Sequence, residues 1–591
     1  MRIQTLITVG GTVALLAFAS LASAGQQLTG HVRPEFAARP VVEGVPAGQT
    51  MRLAIGLPLR NAVELDQLLK SLYDPASPQY RRFLGAEDFV TRFGPTQEDY
   101  RAVQDFARTH RLMVTRTYPN RRLIDVEGAA QDVENAFHLK LGRRRRDDGS
   151  VFYAPDREPT LDLTAAVEHI AGLDDYRCPQ HRISGTGTAE RYLPGKKASK
   201  ILTENYSKGA SSNVGTGYGG YGNYQGYDFR NAYCNGVPNT LNGAGQSIGL
   251  FEVDGFYPVD ITNYELSSTP TLPAAQPQTV LVDGYSGTVV DAGANMEVSL
   301  DIEVAMAMAP GATIVSYEGP SSDPGLPPDR GANFQTTADD ILNAMATPIR
   351  CRQISCSWFG FGDSFDQGVF AQFAAQGQAF FEASGDTGAM AAGDYYGGIQ
   401  PPDFISPYLV EVGGTQLSTN GAIYLSEKTW NDGGASGGGI CNGNSSYPLV
   451  TPSMTTTPAE SPFTYTPLAI PIYQSPVSMA NNGGSTQWRN IPDVAMIADN
   501  FVIASQNGYI IQPIEGTSGA APLWAAFEAL VNQQAAIQGE MPLGFPNPAL
   551  YAIGQSASYN TNFHDIADGS NNDYNRVLKN PSFNSFGVLG L

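Results

Sequence analysis

The chain has 591 residues, 42 % hydrophobic and only 16 % charged, with 64 Gly and 40 Pro, which excludes a disordered or collagen-like chain and allows several domains. Five Cys are too few for a disulfide scaffold, and no CxxC pair suggests zinc. The net charge of −21 is uneven: residues 1–199 hold 26 basic and 23 acidic side chains, and residues 200–591 hold 10 and 34, a balance of +3 against −24. So acidic a C-terminal part argues against nucleic acid as a partner and suits either a low-pH workplace or plain solubility.

The chain opens with Arg2, an apolar run from Val9 to Ala19 and then Ala22-Ser23-Ala24. This is the pattern of a secretory signal over residues 1–24, and it predicts a secreted or extracytoplasmic protein. No other stretch reaches the roughly 18 continuous apolar residues of a membrane helix. The pairing of Cys178, Cys234, Cys351, Cys356 and Cys441 is not deducible from sequence.

Residues 25–175 suggest one α+β unit. Helices are predicted over Ala62–Tyr73, Gln97–His110 (stripe Tyr100, Val103, Phe106) and Asp132–Leu139, with a strand at Arg122–Val126 and a Pro-punctuated loop at 74–85. The basic run Arg143–Arg146 is expected to be a solvated loop. Residues 176–225, rich in Gly, Ser, Lys and Tyr, have the composition of a linker. A basic unit, a linker and an acidic unit in an exported chain suggest a pro-segment ahead of an enzyme, with an ordinary two-domain protein as the alternative. In residues 226–591, apolar runs at Ser247–Val253, Ala312–Tyr317, Gln353–Trp358 and Gln378–Ala383 alternate with helical segments at Ala294–Ala309 and Thr337–Ala346. That order predicts an α/β layer fold with a largely parallel sheet. Residues 443–486 suggest a long surface insertion.

Of six histidines (31, 110, 138, 169, 181 and 564), only His564 lies in the acidic unit, so a Ser-His-Asp enzyme would have one candidate base there. Ser518, in EGTSGAAPLWAAFEAL, precedes a helix-forming run. It is either a nucleophile beside a helix N-terminus or an N-cap serine, the commoner role. Glu297 and Asp301 are four apart in a segment apolar nearly all round, so one face of a buried helix would carry both. Buried carboxyls share a proton, and one of them becomes a base usable where histidine is already charged. Asp386, between Gly385 and Thr387 after a buried strand, lies where α/β sheets bind ligands. A turn aspartate is the plainer reading, and a protonated carboxyl there could donate to an oxyanion.

These segments resemble the sedolisin (serine-carboxyl peptidase) family preceded by a kumamolisin-type activation domain. MEVSLDIEVAMAMAPGA resembles its Glu/Asp helix, ASGDTG its oxyanion-aspartate motif and GTSGAAPLWAA its serine motif. IPDVAMIAD, EVGGTQL and PIYQ also match, and DPASPQYRRFL and VENAFHLKL resemble the pro-domain. The resemblance covers roughly residues 50–175 and 226–584. It implies a subtilisin-like catalytic domain over 226–591 behind an activation domain over 25–175, with processing inside 176–225. It also implies Ser518 as nucleophile, Glu297 as general base, Asp301 as its partner and Asp386 as oxyanion donor. Glu252 and Trp358 match a supporting network, while Phe359 stands where the family usually has Gly. The family's calcium site is matched in its first half by Asp565 and the Ile566 carbonyl. Its second half reads Asn580-Pro-Ser582-Phe-Asn584, which keeps oxygen donors and loses a charge. The implied function is a secreted, acid-active, self-processing endopeptidase held by its own pro-domain. The alternatives are a tripeptidyl-peptidase of the same family, an esterase using Ser518 and His564 in the order an α/β-hydrolase demands, and a catalytically dead binding module.

Overall fold

The computed structural model describes residues 25–176, 188–192, 223–320, 333–386, 406–430, 468–478 and 489–566, apart from short breaks at 34–35, 37–38, 147–148, 360 and 421–422. The expected signal segment, Cys178, Cys441 and residues 580–584 lie outside the described residues.

The N-terminal unit is a four-stranded antiparallel sheet with helices. Its elements are β1 (Thr50–Gly56), α1 (Ala62–Leu72), α2 (Ala86–Phe93), α3 (Gln97–Thr109), β2 (Met113–Thr117), β3 (Leu123–Ala129), α4 (Ala130–Phe137), β4 (Leu141–Arg145), β5 (Val151–Pro155) and β6 (His169–Ala171). The sheet order is β2-β3-β1-β6. α3 starts where the Thr96 side chain accepts from the Asp99 N–H, and it buries the expected stripe of Tyr100, Val103 and Phe106.

The basic run departs from expectation. Arg143–Arg145 belong to β4, which pairs with β5, and Arg144 is buried with its guanidinium on the Phe36 carbonyl at 2.9 Å. Arg146 lies over the rings of Phe152 and Tyr176. Alternate strand positions face inward, and a guanidinium stays there when carbonyls and aromatic faces receive it.

The linker composition hides a strand, β7 (Thr188–Arg191). Buried structure resumes at Asn223 and Tyr224, inside the stretch expected to be linker.

The C-terminal unit is built on β8 (Ser247–Val253), β9 (Gln278–Leu281), α5 (Ala292–Met308), β10 (Thr313–Gly319), α6 (Phe334–Ala346), β11 (Gln353–Cys356), α7 (Ser364–Gln376), β12 (Ala379–Ala383), β13 (Val410–Asn420), β14 (Ile423–Thr429) and β15 (Val494–Ile497). A hairpin of β16 (Phe501–Ser505) and β17 (Tyr509–Ile514) follows, then α8 (Thr517–Gln538). The main sheet runs β9-β10-β8-β11-β12-β13-β14, with β15 also on β13, and all pairs except β13/β14 are parallel. This is the expected α/β architecture. The chain leaves β8 toward one edge of the sheet and β11 toward the other, so a crevice opens at the carboxyl ends of those two strands, where such sheets place ligands. β7 adds antiparallel to β17, Thr188 opposite Gln512 and Arg191 opposite Tyr509.

The N-terminal unit seats on α6 and α7. Leu65, Leu68, Leu72, Phe89 and Phe93 join the core cluster of the large unit. Around them, Tyr118 bonds Asp340, Asn120 bonds Asn343, the buried Arg122 reaches the Phe365 carbonyl (3.3 Å) and Glu168 (3.0 Å), and Tyr73 donates to the Ala374 carbonyl (2.7 Å).

Part of the expected insertion is packed. Gln474 is fully buried and bonds Asn490 and Tyr551, beside Val477. Next to it Arg489 and Asp493 form a completely buried pair at 2.6 Å, and Asp493 also accepts from Tyr551, Asn547 and the Glu411 N–H. Arg489→Ala should leave a buried carboxylate without its cation and cost about 3–5 kcal/mol. A urea midpoint unchanged from the native chain would contradict this.

Candidate active site

α5 supplies the first two groups. It begins where Asp291 accepts from the Ala294 N–H (2.6 Å), and every residue from Glu297 to Met308 is buried. A helix with no polar face sits inside a protein, here against β8, β10, β16 and α8. Glu297 and Asp301 therefore share one face in full burial. Asp301 is held well above the usual carboxyl range, first by burial, then by Glu252 and Glu297.

Glu252 comes from the end of β8. It too is raised by burial, opposed by the Trp358 indole N–H, which donates to its Oε2 at 3.0 Å, and reinforced by Glu297 and Glu318. Trp358 follows β11, so the two strands at the crevice deliver the two partners. Phe359 is buried at 3 % exposure.

Ser518 is the second residue of α8, after Gly516 at φ 154°. It is therefore not an N-cap; its Oγ is buried and makes no hydrogen bond among the described residues. Asp386, at the carboxyl end of β12, receives the Thr517 N–H and hydroxyl on Oδ1, both at 2.8 Å. Thr517 Oγ in turn accepts from the Gly385 N–H (3.1 Å). A proton carried by Asp386 thus belongs on Oδ2. The Ser357 hydroxyl lies 3.0 Å from Asp301 Oδ1 and 3.2 Å from the Ser518 carbonyl. Through Ser357 and Thr517 the Glu/Asp helix, the aspartate turn and the serine turn meet at one end of the sheet.

His564 stacks on Tyr424 at 3.6 Å, and among the described residues the Ser518 hydroxyl bonds neither His564 nor Glu297. Cys234, Cys351 and Cys356 are buried free thiols.

Sequence reading missed Ser357, Thr517 and Glu382. Glu382 pairs in register with Cys356, raises that thiol alongside burial, and adds to the negative field on Asp301. Its signal was present: a glutamate inside the apolar strand FFEA.

For metal, Asp565 is exposed and accepts from the Tyr559 hydroxyl (3.1 Å), and Ile566 is buried. These fit the oxygen chemistry of calcium, while Asn580, Ser582 and Asn584 lie outside the described residues. A different acidic cluster, Asp339, Asp363 and Asp366, brings carboxylate oxygens within 4.8 Å of one another and could hold a cation. Here the Gln335 amide bonds Asp339 and Asp366, and His169 of the N-terminal unit lies 2.9 Å from Asp363.

Comparison with known proteins follows the same division. Residues 41–176 match the family model "Pro-kumamolisin, activation domain". Kumamolisin of Bacillus sp. (strain MN-32) is 29 % identical over 93 % of this chain and 91 % of its own length. Sedolisin of Pseudomonas sp. (strain 101) is 26 % identical over 90 % and 84 %. Tripeptidyl-peptidase SED1 of Arthroderma otae is 24 % identical over 88 % and 87 %.

Beneath the serine turn, a Cβ on Gly414 would lie 2.5 Å from the Ala498 Cβ and 3.3 Å from Thr517. Neither neighbour is the flexible end of a side chain. Gly414→Ala should destabilise the chain by about 1–3 kcal/mol, seen as a lower melting temperature.

Proposed function

Because this chain is a member of the sedolisin family, a serine-type peptidase behind a Pro-kumamolisin activation domain, we propose that it is a secreted, acid-active endopeptidase made as a self-processing zymogen. The observation that carries this is the buried Ser518 hydroxyl, unbonded among the described residues, on a turn tied through Ser357 to Asp301, whose pKa burial raises. Ser518 Oγ attacks the scissile carbonyl and passes its proton to Glu297. Asp301 shares the resulting charge state, and Asp386 donates to the oxyanion. Glu297 then protonates the leaving amine, and water repeats the sequence on the acyl-enzyme. A carboxyl base suits acid, where a histidine would already be charged. Calcium, bound through Asp565, the Ile566 carbonyl, Asn580, Ser582 and Asn584, would stiffen the C-terminal end; with one carboxylate in the set, binding would be weak.

Residues 1–24 are the export signal, 25–175 the activation domain, 176–225 the segment that is cut and 226–591 the catalytic domain. β7 supports this division: it pairs with the strand that runs into the Ser518 turn, its first residue nearest that turn. Tripeptidyl-peptidase action is the second reading, favoured by the similarity to the Arthroderma enzyme.

Acid release has an identifiable seat. His31 is buried, stacks on His169 (4.6 Å) and accepts the Ile170 N–H on Nε2 (3.1 Å), so a second proton would displace that bond. Burial lowers its pKa from 6.5. The neutral form favoured by burial contributes stability that is lost as pH falls below 6.5 toward the lowered value, and Asp363 of the large unit opposes this by favouring the charged ring. Asp363, whose pKa His169 holds below 3.8 against burial, loses its contribution as pH falls through that depressed value. Asp125, raised to about 7 by burial, and Asp340 act oppositely: protonated in the assembled state, they favour assembly in acid and weaken it as pH rises. Release therefore depends on His31 and Asp363 outweighing the raised carboxyls Asp125, Asp340, Asp283, Asp339 and Glu168.

Purified precursor held at pH 3–7 should shorten within 176–225 and digest a denatured protein at low pH, and Ser518→Ala should abolish both without altering the melting temperature. His31→Gln keeps an acceptor for the Ile170 N–H and cannot be protonated. It should move half-maximal processing to lower pH, and an unmoved midpoint on a gel time course would rule out this histidine as the sensor.

A further inference from the structure

The Ser357 hydroxyl has one hydrogen and two acceptors, Asp301 Oδ1 at 3.0 Å and the Ser518 carbonyl at 3.2 Å. The second acceptor needs explaining, because a carbonyl at the start of a helix ordinarily receives the N–H four residues on. Here that residue is Pro522, inside α8, which has no N–H. The serine motif thus orphans the carbonyl of its own nucleophile, and Ser357, fully buried, offers the missing donor.

We propose that Ser357 is a positioning residue that couples the protonation of the acid pair to the placement of the nucleophile. With a proton on Asp301, the Asp301 O–H donates to Ser357 Oγ and the Ser357 O–H donates to the Ser518 carbonyl. With Asp301 ionised, the Ser357 hydrogen turns to Oδ1, and the Ser518 peptide loses its tether. The groups facing Asp301 are Glu297 on its own helix, Glu252 on β8, Cys356 and Ser357 at the end of β11 and Glu382 on β12. All but the two β11 residues are carboxyls, so Ser357 is the hydroxyl donor that stabilises ionised Asp301 against its neighbours.

The inference rests on Ser518, Glu297 and Asp301 acting as proposed above. In full-length chain activated at low pH, Ser357→Ala should lower kcat about 3–10-fold, the worth of a hydrogen bond between neutral groups, with KM changed less than about twofold. The alkaline limb of the kcat profile should move to higher pH, because ionised Asp301 has lost a donor and keeps its proton further up the scale. Ser357→Thr restores the hydroxyl and should recover most of both. Pro522→Ala returns an N–H to the helix, so in that background Ser357→Ala should cost less kcat while moving the alkaline limb as before. An unchanged kcat and limb in Ser357→Ala would overturn the proposal, as would equal losses in both backgrounds with no rescue by Thr. Should Ser357→Ala fail to fold, Ser357→Cys, a weak donor of similar size, must show the same directions or the proposal falls. Hydrolysis surviving in Ser518→Ala would sink the peptidase reading itself; a dead Ser518→Ala with an unchanged Ser357→Ala would sink this inference alone.

Discussion

Everything at this site depends on the burial of carboxyl groups in a helix that has no polar face. A carboxylate taken from water without a counter-charge is costly enough that the group holds its proton instead. α5 buries Glu297 beside Asp301, and β8 and β12 add Glu252 and Glu382 rather than arginine or lysine, so that Asp301 and Glu252 are pushed well above the usual carboxyl range. The result is a cluster of buried acids at the end of a parallel sheet where a crevice already exists. The sheet, the hairpin and α8 enclose that helix, and the serine turn is tied to it by one hydroxyl.

The two units meet through a second arrangement of acids. On α6 and α7, Asp339, Asp340, Asp363 and Asp366 face a unit that brings His169, Arg122 and Tyr118. Charge complementarity alone would suggest that acid simply loosens this contact. The burial of individual groups divides it: burial lowers the pKa of His31 and raises those of Asp125 and Asp340. The pH dependence of this contact is therefore expected to reflect its buried groups as well as the total charge of the two units.

Most elements of the fold were legible because hydrophobic period speaks directly of helices and strands. α1, α3 and α5 and the strands β8, β10, β11 and β12 appear where their apolar spacing put them. The misses have physical reasons. Arg143–Arg146 looked solvated because charge runs usually are, yet alternation in β4 turned Arg144 inward onto carbonyls. β7 lies in a Gly- and Ser-rich stretch because an edge strand borrows its stability from the strand it joins. Gln474 and Val477 are packed by partners more than ten residues distant, which composition cannot reveal.

For the site, sequence by itself determined which groups could do chemistry. Glu297 and Asp301 at helical spacing in an apolar segment, Ser518 before a helix former and Asp386 in a glycine turn are local facts, set by backbone geometry and side-chain type. Tertiary structure decided which of them meet and through what. Ser357 and Thr517 carry no local signature, since a serine or threonine becomes a bridge only when two acceptors from distant segments arrive on either side. Even Pro522, plain in the sequence, acquires meaning only when the carbonyl it leaves unbonded is seen to face a hydroxyl from another strand.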